Sequence, residues 1–325
     1  MSAAVGLVVL FIAVLAGTLA AGRPWIALLG RLAIRQHAYE DAPTSHATKS
    51  GTPTMGGALF CIALLASLAA MPFFRVARVD VLGLMLLGLG CGAVGALDDW
   101  RSIRMGRNRG LRARDKFALT TLVGIGFLAL VGSALPAQTH DALFRLGPQV
   151  WRAPQPLWYL LALLALLATT HSVNLTDGLD GLAAGSVLPP LVVFAWLGWQ
   201  NGAFGVSIVD VALAASTVGF LAFNRHPASV FMGDTGALLL GGVLAGSAVL
   251  SGTLLLLPLV GGVFAAEALS VIAQVGYFKT TGKRILRMSP LHHHFELGGW
   301  PETKVTARFW TASALCSLAG LVIAR

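Results

Sequence analysis

Of 325 residues, 11% are charged and 56% are apolar, with a mean hydropathy of +0.77. A soluble domain of this length carries about 25% charged residues, so the composition excludes a soluble globular chain, and no polar stretch is long enough to build a second domain. The net charge of +9 would fit a nucleic-acid partner by size alone, whereas Cys61, Cys91 and Cys316, all inside apolar runs, fit neither a disulfide framework nor a metal motif.

A bilayer core about 30 Å thick takes roughly 20 apolar residues per helix. On that measure the sequence predicts about ten spans, at residues 4–21, 55–74, 81–97, 117–135, 157–173, 182–200, 206–223, 236–252, 254–278 and 306–323. The first run has no basic residue before it and meets its first positive charge at Arg23, which reads as an uncleaved helix with its N-terminus outside and not as a signal peptide. Pro189-Pro190 predicts a kink in the sixth span, and only Ser251-Gly252-Thr253 divides the eighth from the ninth. The expected fold is all-α: a polytopic integral membrane protein forming a single domain over residues 1–325, with both termini periplasmic.

Charge sets the orientation. The odd-numbered loops hold 18 Lys and Arg and the even-numbered side, with the C-terminus, holds 5. Positive residues collect on the cytoplasmic side, so the odd loops are read as cytoplasmic. Membrane topology and anionic lipid then account for the basic excess, and no nucleic acid is implied.

Two motifs fail on context. Gly90-Cys-Gly-Ala-Val-Gly95 fits the dinucleotide pattern but lies inside an apolar span, where Gly88 and Gly92 read as helix-packing residues. No phosphate-binding loop of the G-x-x-x-x-G-K-[ST] type occurs.

The polar chemistry sits in alternate breaks, all on the cytoplasmic side. Asp98-Asp99 ends the third span; neighbouring carboxylates there give a candidate base or a cation site, or else a solvated helix end neutralised by Arg101 and Arg104. Asn174, Asp177 and Asp180 stand at i, i+3 and i+6, one face of a helical turn, and suit ribose hydroxyls, a uracil edge or a hard cation. Asp234 in Phe231-Met-Gly-Asp-Thr-Gly236 is expected either as the N-cap of the eighth span or as a Mg²⁺ ligand beside a phosphate. His292, His293 and His294 do not share a helix face, which favours phosphate contact or proton handling over tetrahedral zinc. Glu267, inside an apolar span, is expected to brace the site, while Asp210 is expected at the membrane interface.

Thr52-Pro-Thr-Met-Gly-Gly57, Asp98-Asp99, Gly110-Leu-Arg-Ala-Arg-Asp-Lys-Phe117, Asn174-Leu-Thr-Asp-Gly-Leu-Asp-Gly-Leu182, Val230-Phe-Met-Gly-Asp234 and Leu291-His-His-His-Phe-Glu-Leu297 follow one another in that order. Together they resemble the phospho-N-acetylmuramoyl-pentapeptide transferase family, within the polyprenyl-phosphate N-acetylhexosamine-1-phosphate transferase superfamily. The resemblance runs from about residue 40 to residue 310. It implies a bacterial cytoplasmic-membrane enzyme of peptidoglycan synthesis that moves phospho-MurNAc-pentapeptide from UDP to undecaprenyl phosphate, giving lipid I and UMP with Mg²⁺. It further implies Asp234 as metal ligand, Asp98 and Asp99 as the acidic pair with Asp98 as base, and Asn174, Asp177 and Asp180 on the nucleotide side. Phe231 would stack uracil, with Lys49, Lys116, Asn224, His292, His293 and His294 lining the site. Pro301-Glu302 and the histidine run mark this branch of the superfamily. Ser102, and Arg225-His226 before Pro227, depart from its pattern. A GlcNAc-1-phosphate transferase and, more distantly, a secondary transporter are the competing readings, and the sequence leaves oligomeric state open, a homodimer included.

Overall fold

The computed structural model describes residues 2–32, 34, 51–74, 78–105, 110–134, 142–146 and 149–324. Lys49, expected in the site, lies outside the described residues. Among those residues nine helices are long and apolar enough to cross a membrane, and a bent pair makes up to ten.

In chain order these are α1 (Ala3–Arg31), a 3₁₀ turn (Gly56–Phe60) leading into α2 (Cys61–Phe74), α3 (Arg78–Met105), α4 (Ala113–Ala134), α5 (Gln155–Thr176), α6 (Leu182–Gln200), α7 (Phe204–Asn224) and α8 (Gly233–Leu250). The short α9 (Leu257–Val260) and α10 (Gly262–Thr281) follow, then α11 (Leu291–Glu296) and α12 (Glu302–Ile323). A small antiparallel hairpin, β1 (Ala142–Leu146) with β2 (Gln149–Arg152), stands between α4 and α5; the apolar-run reading gave no strand there.

Several helices outrun their apolar windows. Alpha1 extends ten residues past its expected end and through Pro24, and α3 continues through Asp98-Asp99 to Met105. Hydropathy marks where lipid ends, not where helical hydrogen bonding ends, and a basic segment at the surface can continue a helix in water. Alpha6 runs through Pro189-Pro190 as one helix. The ninth span divides at Gly261 into Leu254–Val260, a 3₁₀ turn continued by α9, and α10, with a bend of 81° between them. Pro258 opens α9 and a glycine pair joins the two pieces, so both the hydrogen-bond ladder and the side-chain packing are interrupted there.

Alpha8 is the centre of the bundle: every residue from Thr235 to Val249 is buried. A helix apolar on all faces belongs inside, and this one packs most extensively against α3 and α5. Lipid gives no hydrophobic drive for helix pairing, so close contact of small residues must supply it. Gly88 and Gly92 of α3 face Val243 and Leu239 of α8, and Gly95 lies against the backbone of Asp234 and Thr235. The glycines of the spurious dinucleotide motif are thus packing residues.

Asp210, expected at the membrane interface near the outer end of its span, packs against a neighbouring helix. It is fully buried in α7 and its Oδ1 accepts a hydrogen bond of 2.8 Å from Ser247 Oγ of α8. A polar partner on the neighbouring helix makes that burial tolerable.

A Cβ at Gly95 would fall on the Asp234 carbonyl, whereas one at Gly30 meets nothing within 4 Å. Gly95→Ala is expected to destabilise the protein by about 1–3 kcal/mol, the usual cost of overpacking, and Gly30→Ala to leave it unchanged. Thermal melts in detergent check both.

Candidate active site

Alpha8 begins with unsatisfied backbone N–H groups and the positive end of its dipole. A carboxylate from another helix meets them. Asp99 of α3 accepts Asp234 N–H at 3.1 Å, Thr235 N–H at 3.0 Å and the Thr235 hydroxyl at 2.6 Å. Asp234, expected as the cap of its own helix, instead sits in the first turn with its carboxylate turned outward. Its Oδ2 pairs with Lys116 Nζ from α4, and its Oδ1 accepts Asn174 Nδ2 from α5 at 2.7 Å. Gly233 makes this start possible: its φ is +72°, and a side chain there would meet Asp99 Oδ2 and Thr54 Oγ1.

Lys116 also pairs with Asp98 Oδ1 at 3.2 Å, and the same oxygen accepts Leu111 N–H at 2.9 Å. Asp177 lies in the turn after α5. Burial, and then the negative charges of Asp234, Asp99 and Asp180, push its pKa up to about 8, against the lowering effect of the Gly233 backbone. Asp98, Asp99, Asp177 and Asp234 therefore converge from three segments, and Lys116 is the one ammonium that the described residues bring to them. Carboxylates crowded beyond their cations, with an amide oxygen beside them, form an all-oxygen set that fits a hard divalent ion such as Mg²⁺.

Asn174, Asp177 and Asp180 do not share one helical face, because α5 ends at Thr176 and residues 177–181 form a turn. Asn174 and Asp177 face the Asp234 group. Asp180 faces away: its Oδ2 accepts Ala228 N–H at 3.1 Å and lies 3.0 Å from His226 Nδ1, and its own N–H donates to Glu302 Oε1 at 2.6 Å. Asn224 is buried beside it, accepting Gly181 N–H at 3.1 Å and donating to Val230 carbonyl at 3.0 Å. These bonds fix the loop that leads to Phe231. The Phe231 backbone pairs with the Thr52–Gly57 segment, donating to Pro53 carbonyl at 2.8 Å and accepting Gly56 N–H at 2.9 Å.

The His292 and His293 rings lie 4.2 Å apart, tilted by 53°, but the three histidines take different partners. His292 is fully buried; its Nδ1 lies 3.1 Å from Glu267 Oε1, and its Nε2 is pressed against Gly178 and lacks a partner among the described residues. Glu267 also accepts the N–H groups of Leu291 and His292, at 2.8 and 3.1 Å, so it braces the start of the histidine run. His293 lies 3.0 Å from Glu296, and His294 Nδ1 accepts Arg287 N–H at 3.1 Å, contacts within their own segment. Thr235, Gly178 and the His226–Glu302 contact were not marked as site features by the sequence reading. A hydroxyl one residue after Asp234 was the visible signal for the first; nothing local signals the others.

The family model Glycosyl transferase family 4 matches residues 81–252, and the phospho-N-acetylmuramoyl-pentapeptide-transferase signature 1 matches residues 49–61. A phospho-N-acetylmuramoyl-pentapeptide-transferase of Heliobacterium modesticaldum is 47% identical over 303 residues, covering 93% of this chain and 92% of the relative. Relatives of the same name from Desulforamulus reducens and Bacillus subtilis are 44% and 41% identical, covering 94% and 92% of this chain and 92% and 91% of their own lengths.

In metal-free protein Asp177 keeps its proton up to about pH 8, whereas an unfolded chain loses it near pH 4. Between those values the folded state binds the extra proton, so this group's contribution to stability falls as pH rises and levels off above about pH 8. Asp177→Asn is expected to flatten that fall and to melt above wild type at about pH 8 with chelator present. A melting series from about pH 5 to about pH 9 checks it; a slope unchanged by the substitution would contradict it.

Proposed function

This chain belongs to the phospho-N-acetylmuramoyl-pentapeptide-transferase family, and from that premise we propose that it transfers phospho-MurNAc-pentapeptide from UDP-MurNAc-pentapeptide to undecaprenyl phosphate. A lipid phosphate oxygen bonds to the phosphorus bearing the sugar, the bond from that phosphorus to the bridging oxygen breaks, and the oxygen leaves with UMP. The products are lipid I and UMP.

The observation that carries this reading is the convergence of Asp98, Asp99, Asp177 and Asp234 with Lys116 and Asn174. Phosphoryl transfer needs little covalent help from protein; it needs positioning and neutralisation of charge. Asp234 is the ligand for Mg²⁺, with the neighbouring carboxylates completing a negative basin around it. Mg²⁺ held there would supply charge neutralisation for the diphosphate and the leaving UMP. Asp98, held by Lys116 and the Leu111 N–H, takes the proton of the lipid phosphate when that phosphate arrives as a monoanion. Asp99 serves otherwise, because three donors occupy it at the start of α8, and it sets the position of Asp234.

Asn174 and Asp177 are assigned to the diphosphate and Asp180, Asn224 and Phe231 to the uridine, with the histidine run beside them and Lys49 as a further substrate-binding residue. The 18-to-5 charge asymmetry supports a cytoplasmic face for these groups, with both termini periplasmic and the whole chain one membrane domain in the bacterial inner membrane. That face is where a nucleotide sugar and a lipid phosphate meet.

Purified protein given UDP-MurNAc-pentapeptide, undecaprenyl phosphate and Mg²⁺ is expected to release UMP, followed by nucleotide chromatography. Asp234→Asn is expected to lower that rate at least about 100-fold, a loss of about 2.7 kcal/mol of transition-state stabilisation. Release of UMP from UDP-GlcNAc but not from the MurNAc-pentapeptide donor would contradict the donor assignment.

A further inference from the structure

Beside the Asp234 group lies a second set of donors with a different chemistry. Asp180 comes from the turn after α5, His226 from the loop after α7 and Glu302 from the start of α12, and one ligand atom of each lies within 4.8 Å of the others. His226 Nδ1 stands 3.0 Å from Asp180 Oδ2 and 3.4 Å from Glu302 Oε2.

The backbone aims both carboxylates. Ala228 N–H donates to Asp180 Oδ2 at 3.1 Å, and Asp180 N–H holds Glu302 Oε1 at 2.6 Å, which leaves Oε2 as the oxygen toward His226. Backbone donors of this kind orient metal-bound carboxylates. Donors bound at about 2.0–2.2 Å from an ion stand roughly 3 Å apart, close to the two separations found here. An ion could therefore replace the ring hydrogen with small shifts of the three side chains. The His226 side chain is 43% exposed, so the position opens to water, which supplies the remaining ligands.

We propose that Asp180, His226 and Glu302 form a second divalent-cation site, selective for imidazole-binding ions of the Zn²⁺ and Co²⁺ type over Mg²⁺. An imidazole with two carboxylates suits such ions, whereas Mg²⁺ prefers an all-oxygen shell. Occupation ties the 177–181 turn, the loop before Phe231 and the start of α12 into one unit. Asn224, two residues before His226, grips the Gly181 N–H of that turn. On the reading given above, which this consequence rests on, the tied elements bind the nucleotide, and the ion inhibits by competing with UDP-MurNAc-pentapeptide.

The test has two arms, both on full-length protein in detergent with saturating Mg²⁺. In the first, Co²⁺ is titrated and its visible absorption recorded; one equivalent is expected to give an imidazole-coordinated spectrum in wild type that is lost in His226→Phe and in the smaller change His226→Gln. Absence of that spectrum in wild type, or its persistence in both variants, overturns the site. In the second arm, Zn²⁺ is expected to raise the apparent KM for the nucleotide sugar about tenfold, within the usual range of coupling between two sites, in wild type but not in either variant. A Co²⁺ spectrum that depends on His226, with a KM indifferent to Zn²⁺, overturns the inhibition and upholds the site. The spectrum does not need turnover, so it stands or falls separately from the proposed reaction.

Discussion

The site depends on one carboxylate at the end of one helix. Asp99 satisfies the first N–H groups of α8 and the Thr235 hydroxyl, a role that more often falls to the residue just before a helix. Because α3 supplies the cap, Asp234 is released from it and points toward Lys116 and Asn174. The cap works only because α3 approaches α8 closely, which the absence of side chains at Gly88, Gly92 and Gly95 permits. Packing in the middle of the membrane and charge at its edge are thus a single arrangement.

That arrangement concentrates negative charge. Asp98, Asp99 and Asp234 come from α3 and α8, Asp177 from the turn after α5, and Lys116 bridges two of the four. The fold holds carboxylates near one another that would separate in an open chain, and the raised pKa of Asp177 is one expression of the cost. A divalent cation held there would offset that cost. A second, separate group around Asp180 and Asn224 holds the loop leading to Phe231, so the two groups meet at the 177–181 turn.

The membrane spans were legible because about 20 successive apolar residues leave few alternatives in lipid. Their ends were less so: α1 and α3 continue through charged residues, since helical hydrogen bonding does not stop at the lipid surface. The bend at Gly261 and the hairpin at residues 142–152 were missed, because a short glycine pair and a short loop strand carry little periodic signal. Among the site residues, type and approximate place were readable, but partnership was not. Spacing put Asn174, Asp177 and Asp180 on one face, whereas the helix stops at Thr176 and Asp180 turns toward His226 and Glu302. Asp234 looked like a cap because the residue that does cap α8 is 135 positions away. The burial of Asp210 was not readable because its partner, Ser247, sits on another helix.

The central claim is that Asp99 acts by placing Asp234 and not by contacting the reacting groups. Mn²⁺ can stand in for Mg²⁺ and be followed by its paramagnetic resonance in wild type, Asp99→Ala and Asp234→Asn. The account predicts one bound ion per chain in wild type, no tight site in Asp234→Asn, and in Asp99→Ala a weakened site together with a lower melting temperature. Full-strength binding and unchanged melting in Asp99→Ala would contradict it.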